Sequence, residues 1–193
     1  MKRLITALPT AAAFLAASLV SVPAGRAAGV LTLSSPAVQD NGTLATKNAC
    51  SDKQRTPNCV GKNISPPLTW SNAPEGTKSF ALVLLDPEGR APAGVSHMVI
   101  YGIPADVTGF AEGELSKPSD KFVGGKNLMG MATYFGPGPP PNVDWHHYTF
   151  TLIATDLDPK ALQPGLTREE LAPALQGDVK GSAGLVTRFK HPS

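Results

Sequence analysis

The chain has 193 residues, 17% of them charged and 41% hydrophobic, which excludes a disordered polymer and suits one globular domain. Its 17 Lys and Arg residues face 15 Asp and Glu residues with no basic run and no interleaving of aromatic and basic side chains, so nucleic acid is excluded as a natural partner. Glycine and proline number 19 each, a content that favours turns and short strands over a helix bundle.

The first elements are not part of the fold. Lys2 and Arg3 are followed by the uncharged, Ala- and Leu-rich stretch Leu4–Val20 and then by small residues, the layout of an export signal. The stretch lies at the low edge of a membrane span and contains Pro9, so a permanent anchor is disfavoured. Cleavage is expected after Ala24 or Ala27, giving a signal peptide over residues 1–27 and one domain over 28–193, periplasmic or secreted, with no transmembrane anchor in the mature chain. No cysteine lies near the cut, which argues against a lipid anchor. Removing Lys2, Arg3 and Arg26 leaves 14 basic against 15 acidic residues, a net charge of −1, so the basic balance belongs mostly to the signal.

Val30–Leu33 alternates and reads as an opening strand; Asn41-Gly42 is a turn signal. Cys50 and Cys59 flank the polar loop "SDKQRTPN", and in an oxidising compartment such a pair is expected to form a disulfide. The prolines of "NISPPLTW" (63–70) keep it extended, with Leu68 and Trp70 on one face. "SFALVLLD" (79–86) and "HMVIYGI" (97–103) are of strand length. Residues 104–125 lack periodicity and read as a long surface excursion. "MGMATYF" leads into the Pro/Gly arc "GPGPPP", and "HYTFTLIATDL" (147–157) is β-branched and aromatic, again a strand. Thr167 and Glu170 fit a helix-capping box; Pro173 should shorten that helix, and a second short helix is expected after Gly177. Strands first and helices last predict a mainly β protein, an antiparallel β-sandwich with a few peripheral and C-terminal helices.

Only four histidines are present, and two of them, His146 and His147, stand at the foot of the proline arc. Asp86 ends one strand and His97 begins another. His146 and Tyr148 are two apart and so share a strand face, while His147 points away. Gathered at one sheet edge, an acid, two imidazoles and a phenol suit a phosphate or carboxylate group, and the prolines would stiffen the wall.

The separated segments "NISPPLTW", "GTKSFALVLLDPE", "SHMVIYGIP", "GPGPP" and "HHYTFTLIATDL" resemble, in their order, a phosphatidylethanolamine-binding protein of the bacterial Raf kinase inhibitor-like branch, the YbhB/YbcL-like proteins, over roughly residues 31–189. The resemblance implies a β-sandwich with a small anion cavity. Carried over residue by residue, it makes Asp86, His97, Pro137, Gly138, Pro139, Pro140, His146 and Tyr148 the ligand-binding residues. The chain departs from the family pattern at Glu88 in the Asp-Pro-Asp segment, at Ser96 and Met98 beside the strand-opening histidine, and at Gly138, where a cysteine is usual. These departures bear on the identity of the ligand more than on the cavity.

A binding protein for a small anionic ligand is therefore the leading expectation, with no cofactor and no metal. Two alternatives stay open: a phosphoryl or ester hydrolase using Asp86, His97 and His146, and an inhibitor or interaction protein acting on a protease or host partner. No G-x-S-x-G motif is present, and Ser96 should point away from the neighbouring His97 on a strand.

Overall fold

The computed structural model describes residues 29–54 and 56–192; the expected signal segment lies outside the described residues. Among the described residues nine strands form two sheets: β1 (Thr32–Ser34), β2 (Gly42–Thr43), β3 (Leu68–Ser71), β4 (Ser79–Asp86), β5 (Val95–Pro104), β6 (Gly109–Phe110), β7 (Val123–Gly124), β8 (His146–Thr155) and β9 (Val179–Phe189). The small sheet has the order β1-β3-β6, and the large one β2-β9-β8-β4-β5-β7. All pairings are antiparallel except that of β2 with β9.

The β4 run "SFALVLLD" is apolar from Phe80 to Leu85 because both faces of the large sheet are covered. Phe80, Leu82 and Leu84 point to the main core, where Leu33, Leu68, Trp70 and Phe110 arrive from the small sheet. Ala81 and Val83 point the other way, beneath Leu171 and Leu175 of the short helix α1 (Arg168–Ala174) and its end. The expected capping box closes this helix: the Glu170 amide donates to the Thr167 side chain, and the Thr167 amide donates to Glu170 at 2.8 Å. Pro173 falls within the helix, which ends after a further residue.

Two expectations are corrected. No second helix follows Gly177; residues 179–189 form β9, paired with β8 from Thr155↔Val179 to His146↔Phe189. The small residues Gly181, Ser182, Ala183 and Gly184 hide a two-residue alternation that becomes visible only at the buried Leu185, Thr187 and Phe189. Nor is 104–125 a surface excursion. It supplies β6 and β7, and Phe110, Leu115 and Phe122 bury themselves in the main core. These apolar residues sit on a two-residue strand, a short 3-10 turn and a bend, so they carry no period to read.

Cys50 and Cys59 are joined by a disulfide, as expected, and both are fully buried. Their loop clamps the proline arc. The Cys50 amide donates to the Pro137 carbonyl at 2.9 Å, and the Gly136 amide donates to Asn63 Oδ1 at 2.8 Å. The fit requires glycine: a Cβ at Gly136 would lie 2.1 Å from the Asn48 carbonyl oxygen, and one at Gly138 would lie 2.7 Å from Cys50 Sγ.

Candidate functional site

At one end of the large sheet, β4 finishes, β5 and β8 begin, and Phe189 closes β9. On β4, Asp86 has the parity of Phe80, Leu82 and Leu84, so its carboxylate faces the main core side, where an apolar residue would otherwise continue the stripe. On β8, His146 and Tyr148 have the parity of Phe150 and Leu152 and face the same side.

His97 does not follow from alternation. Met98 and Ile100 of β5 face the main core, whereas Val99 and Tyr101 face the helix side. Simple period-two counting therefore sends His97 to the helix side. The pairing of β5 with β4 instead slips between Leu84↔Met98 and Leu85↔Ser96, leaving His97 as an extra, unpaired residue. This bulge re-aims the side chain. The imidazole lies edge-on to Tyr148, with ring centroids 5.1 Å apart, and its Nε2 is 3.9 Å from Asp86 Oδ2.

The structure thus brings together four of the residues singled out in the sequence. Asp86, His97 and Tyr148 are buried, and His146 is half-buried. Asp86 Oδ1 accepts the amides of Glu88 and Gly89 at 3.0 and 2.9 Å, and Oδ2 meets Nδ1 of His146 at 2.8 Å. A carboxylate only accepts, so His146 Nδ1 carries the proton. His97 Nδ1 lies 2.7 Å from the Phe135 carbonyl oxygen, which fixes the proton on that nitrogen for the same reason. Burial holds the His97 imidazole below its ordinary pKa; the Phe135 carbonyl and the Asp86 charge oppose this without overcoming it. Burial, reinforced by the adjacent Asp86 carboxylate, pushes the Tyr148 phenol far up, so it stays protonated. Its hydroxyl is buried beside the Asp86 carboxylate and makes no hydrogen bond of good geometry.

The arc reaches this corner through its leading residues. The Phe135 ring stacks on His97 with centroids 5.9 Å apart, and its amide donates to the His97 carbonyl at 3.0 Å. Pro137 and Pro139 are buried and Gly138 half-buried in the clamp with the disulfide loop, and Pro140 is exposed. Sequence reasoning missed two contributors, Phe135 and Asn127. Phe135 was signalled only as an aromatic residue preceding the arc. Asn127 buries its amide between β5 and the arc, donating to the His97 and Thr133 carbonyls at 3.2 and 3.0 Å. Glu88 receives both the amide and Nδ1 of His147, at 3.0 and 2.7 Å. Burial pushes Glu88 up, but these His147 hydrogen bonds together outweigh it and hold the carboxyl below its usual pKa.

Asp86, Glu88 and His146 bring potential metal-ligating atoms within 4.8 Å of one another, but Asp86 Oδ2 and His146 Nδ1 are already engaged with each other. Among the described residues no helix is long and apolar enough to cross a membrane.

The model of the phosphatidylethanolamine-binding protein family matches residues 34–190. A UPF0098 protein of Methanothermobacter thermautotrophicus is 40% identical over 152 residues, 75% of this chain and 96% of the relative. A Mycobacterium tuberculosis protein described as a candidate lipoprotein, LppC, is 35% identical over 166 residues, 85% of this chain and 74% of its own length. The crystal structure of Escherichia coli YbcL, described as a member of the mammalian PEBP family, superposes with a TM-score of 0.74 at 28% identity, covering 84% of this chain and 99% of YbcL. The two-sheet architecture, the ordered motifs and these likenesses agree: the chain belongs to the phosphatidylethanolamine-binding protein family, on its YbhB/YbcL branch.

Proposed function

We propose that this chain is an exported binding protein that holds a small oxyanion, a phosphoryl or carboxylate group, in the corner formed by Asp86, His97, His146 and Tyr148. The observation that carries this reading is the Tyr148 hydroxyl, a buried donor with no well-formed hydrogen bond, beside the Asp86 carboxylate and two imidazoles whose Nδ1 atoms are engaged. Leaving such a group unmet costs about 1–3 kcal/mol, an expense that proteins concentrate at sites completed by a ligand. The family's own name points to phosphorylated head groups. The role is binding rather than catalysis: the corner presents acceptors and a phenol held protonated, not an activated nucleophile.

Export is supported by the signal-like start (Lys2, Arg3, then Leu4–Val20), by the Cys50–Cys59 disulfide and by the description of the mycobacterial relative. Calorimetric titration of inorganic phosphate and phosphoethanolamine into the purified protein tests the binding role. The His146→Ala/Tyr148→Phe double variant should bind at least about tenfold more weakly, as expected for the loss of one or two hydrogen bonds. Equal affinity in the two proteins would remove the corner as the site. The intact mass of protein recovered from the periplasm or medium tests export; a chain still carrying residues 1–24 and confined to the cytoplasm would refute it.

A further inference from the structure

A carboxylate is an odd wall for an anion site, and the hydrogen-bond arrangement around Asp86 says what it demands of the ligand. His146 Nδ1 donates to Asp86. His97 Nδ1 donates to the Phe135 carbonyl and burial disfavours a second proton, so its Nε2 is a lone pair, 3.9 Å from Asp86 Oδ2. The corner therefore offers the His97 imine nitrogen and a carboxylate oxygen as acceptors, against the Tyr148 hydroxyl, a donor with no well-formed hydrogen bond. A fully deprotonated oxyanion would set lone pair against lone pair at most of these contacts.

Resting on the oxyanion reading above, we infer that the corner takes its ligand as a protonated oxyanion, with the ligand's own O–H donating toward His97 Nε2 and Asp86 Oδ2. Phosphate, phosphate monoesters and phosphonates can take up such a proton near neutral pH, while sulfates and sulfonates cannot. The deficit is not readily met by the protein. Burial disfavours a charged His97, Tyr148 is already protonated, and among the described residues no lysine or arginine is ion-paired with Asp86. Among the described residues the ionisable groups at or beside it are Asp86 at the end of β4, Glu88 in the turn beyond, His97 on β5, His146 and Tyr148 on β8, and Tyr134 before the arc. Of these, Glu88 is engaged with His147, and the Tyr134 hydroxyl donates to the Asn48 carbonyl at 2.8 Å.

Methyl phosphate and methyl sulfate form a discriminating pair, since they match in shape and a phosphate monoester loses its last proton near pH ~6. Isothermal titration at pH 7.5 in two buffers of different ionisation enthalpy measures affinity and proton uptake together. The expected result is a preference of about 10- to 100-fold for methyl phosphate, with uptake approaching one proton per ligand bound. Asp86→Asn replaces an acceptor with an amide that can donate, and should narrow the preference about tenfold by admitting methyl sulfate. Because that variant could disturb the turn at Glu88 and Gly89, wild-type proton uptake stands as the independent measurement. Equal affinity for the two esters, or methyl phosphate binding without proton uptake, overturns the inference and leaves the oxyanion reading intact. Methyl sulfate binding with proton uptake also overturns it, because the imidazoles would then be taking the proton. No binding of either ester overturns both.

Discussion

His146 and His147 are neighbours that make the same bond, Nδ1 to a carboxylate oxygen, at 2.8 Å to Asp86 and 2.7 Å to Glu88. Strand alternation sends them to opposite faces of β8, and there the likeness ends. The inner side chains, His146 and Asp86, are 15% and 5% exposed, while the outer ones, His147 and Glu88, are 42% and 38% exposed. Water screens the outer pair and can replace either partner. The inner pair shares its carboxylate with two amides and faces a second imidazole, so the removal of one group strands several others. Identical local chemistry thus becomes a surface contact on one face and a site on the other.

Four experiments break or sharpen this contrast. Asp86→Ala should have the largest effect, lowering unfolding free energy by about 2–4 kcal/mol in urea, because the amides of Glu88 and Gly89 and the ring of His146 lose their acceptor together. A loss below about 1 kcal/mol would make the inner pair no different from a surface one.

Lowering the pH addresses the inner region by itself. Burial keeps the His97 imidazole below its ordinary value of 6.5. The unfolded chain therefore takes up a proton near that value which the folded chain resists. The stability from neutral His97 is complete above about pH 6.5 and is lost as pH falls toward the lower folded pKa. His97→Gln should flatten the dependence of Tm on pH between about 7 and 5; an unchanged slope would assign the acid sensitivity elsewhere.

Tyr148→Phe should raise stability by about 0.5–1 kcal/mol while weakening oxyanion binding, because it removes a buried hydroxyl that only a ligand satisfies. A loss of stability would mean that the hydroxyl is already paired in the free protein. The smallest effect is expected on the outer face. Glu88→Gln should change unfolding free energy by less than about 1 kcal/mol and leave oxyanion affinity within about twofold. A larger change in affinity would extend the site across the strand to His147.

Much of this arrangement is legible in the chain. The apolar run ending in Asp86, the shared parity of His146 and Tyr148, and the Thr167–Glu170 cap follow from period and residue type. β9 was missed because glycine, serine and alanine dilute its alternation, and β6 and β7 because two-residue strands carry no pattern. Asn127 and Phe135 escaped because their role is to hold His97 through backbone groups, which side-chain chemistry does not announce.

The sequence alone determines the residue types, the direction in which each regular strand presents them, and hence an acid, an imidazole and a phenol on one side of two strands. Only the tertiary structure decides that His97 joins them. Its side chain crosses to the main core side because β5 carries one residue more than β4 can pair, a mismatch that exists only once the strands are in register. The tautomers, and with them the surplus of acceptors over donors, are set by partners far away in the chain: Phe135 for His97, and Asp86 for His146.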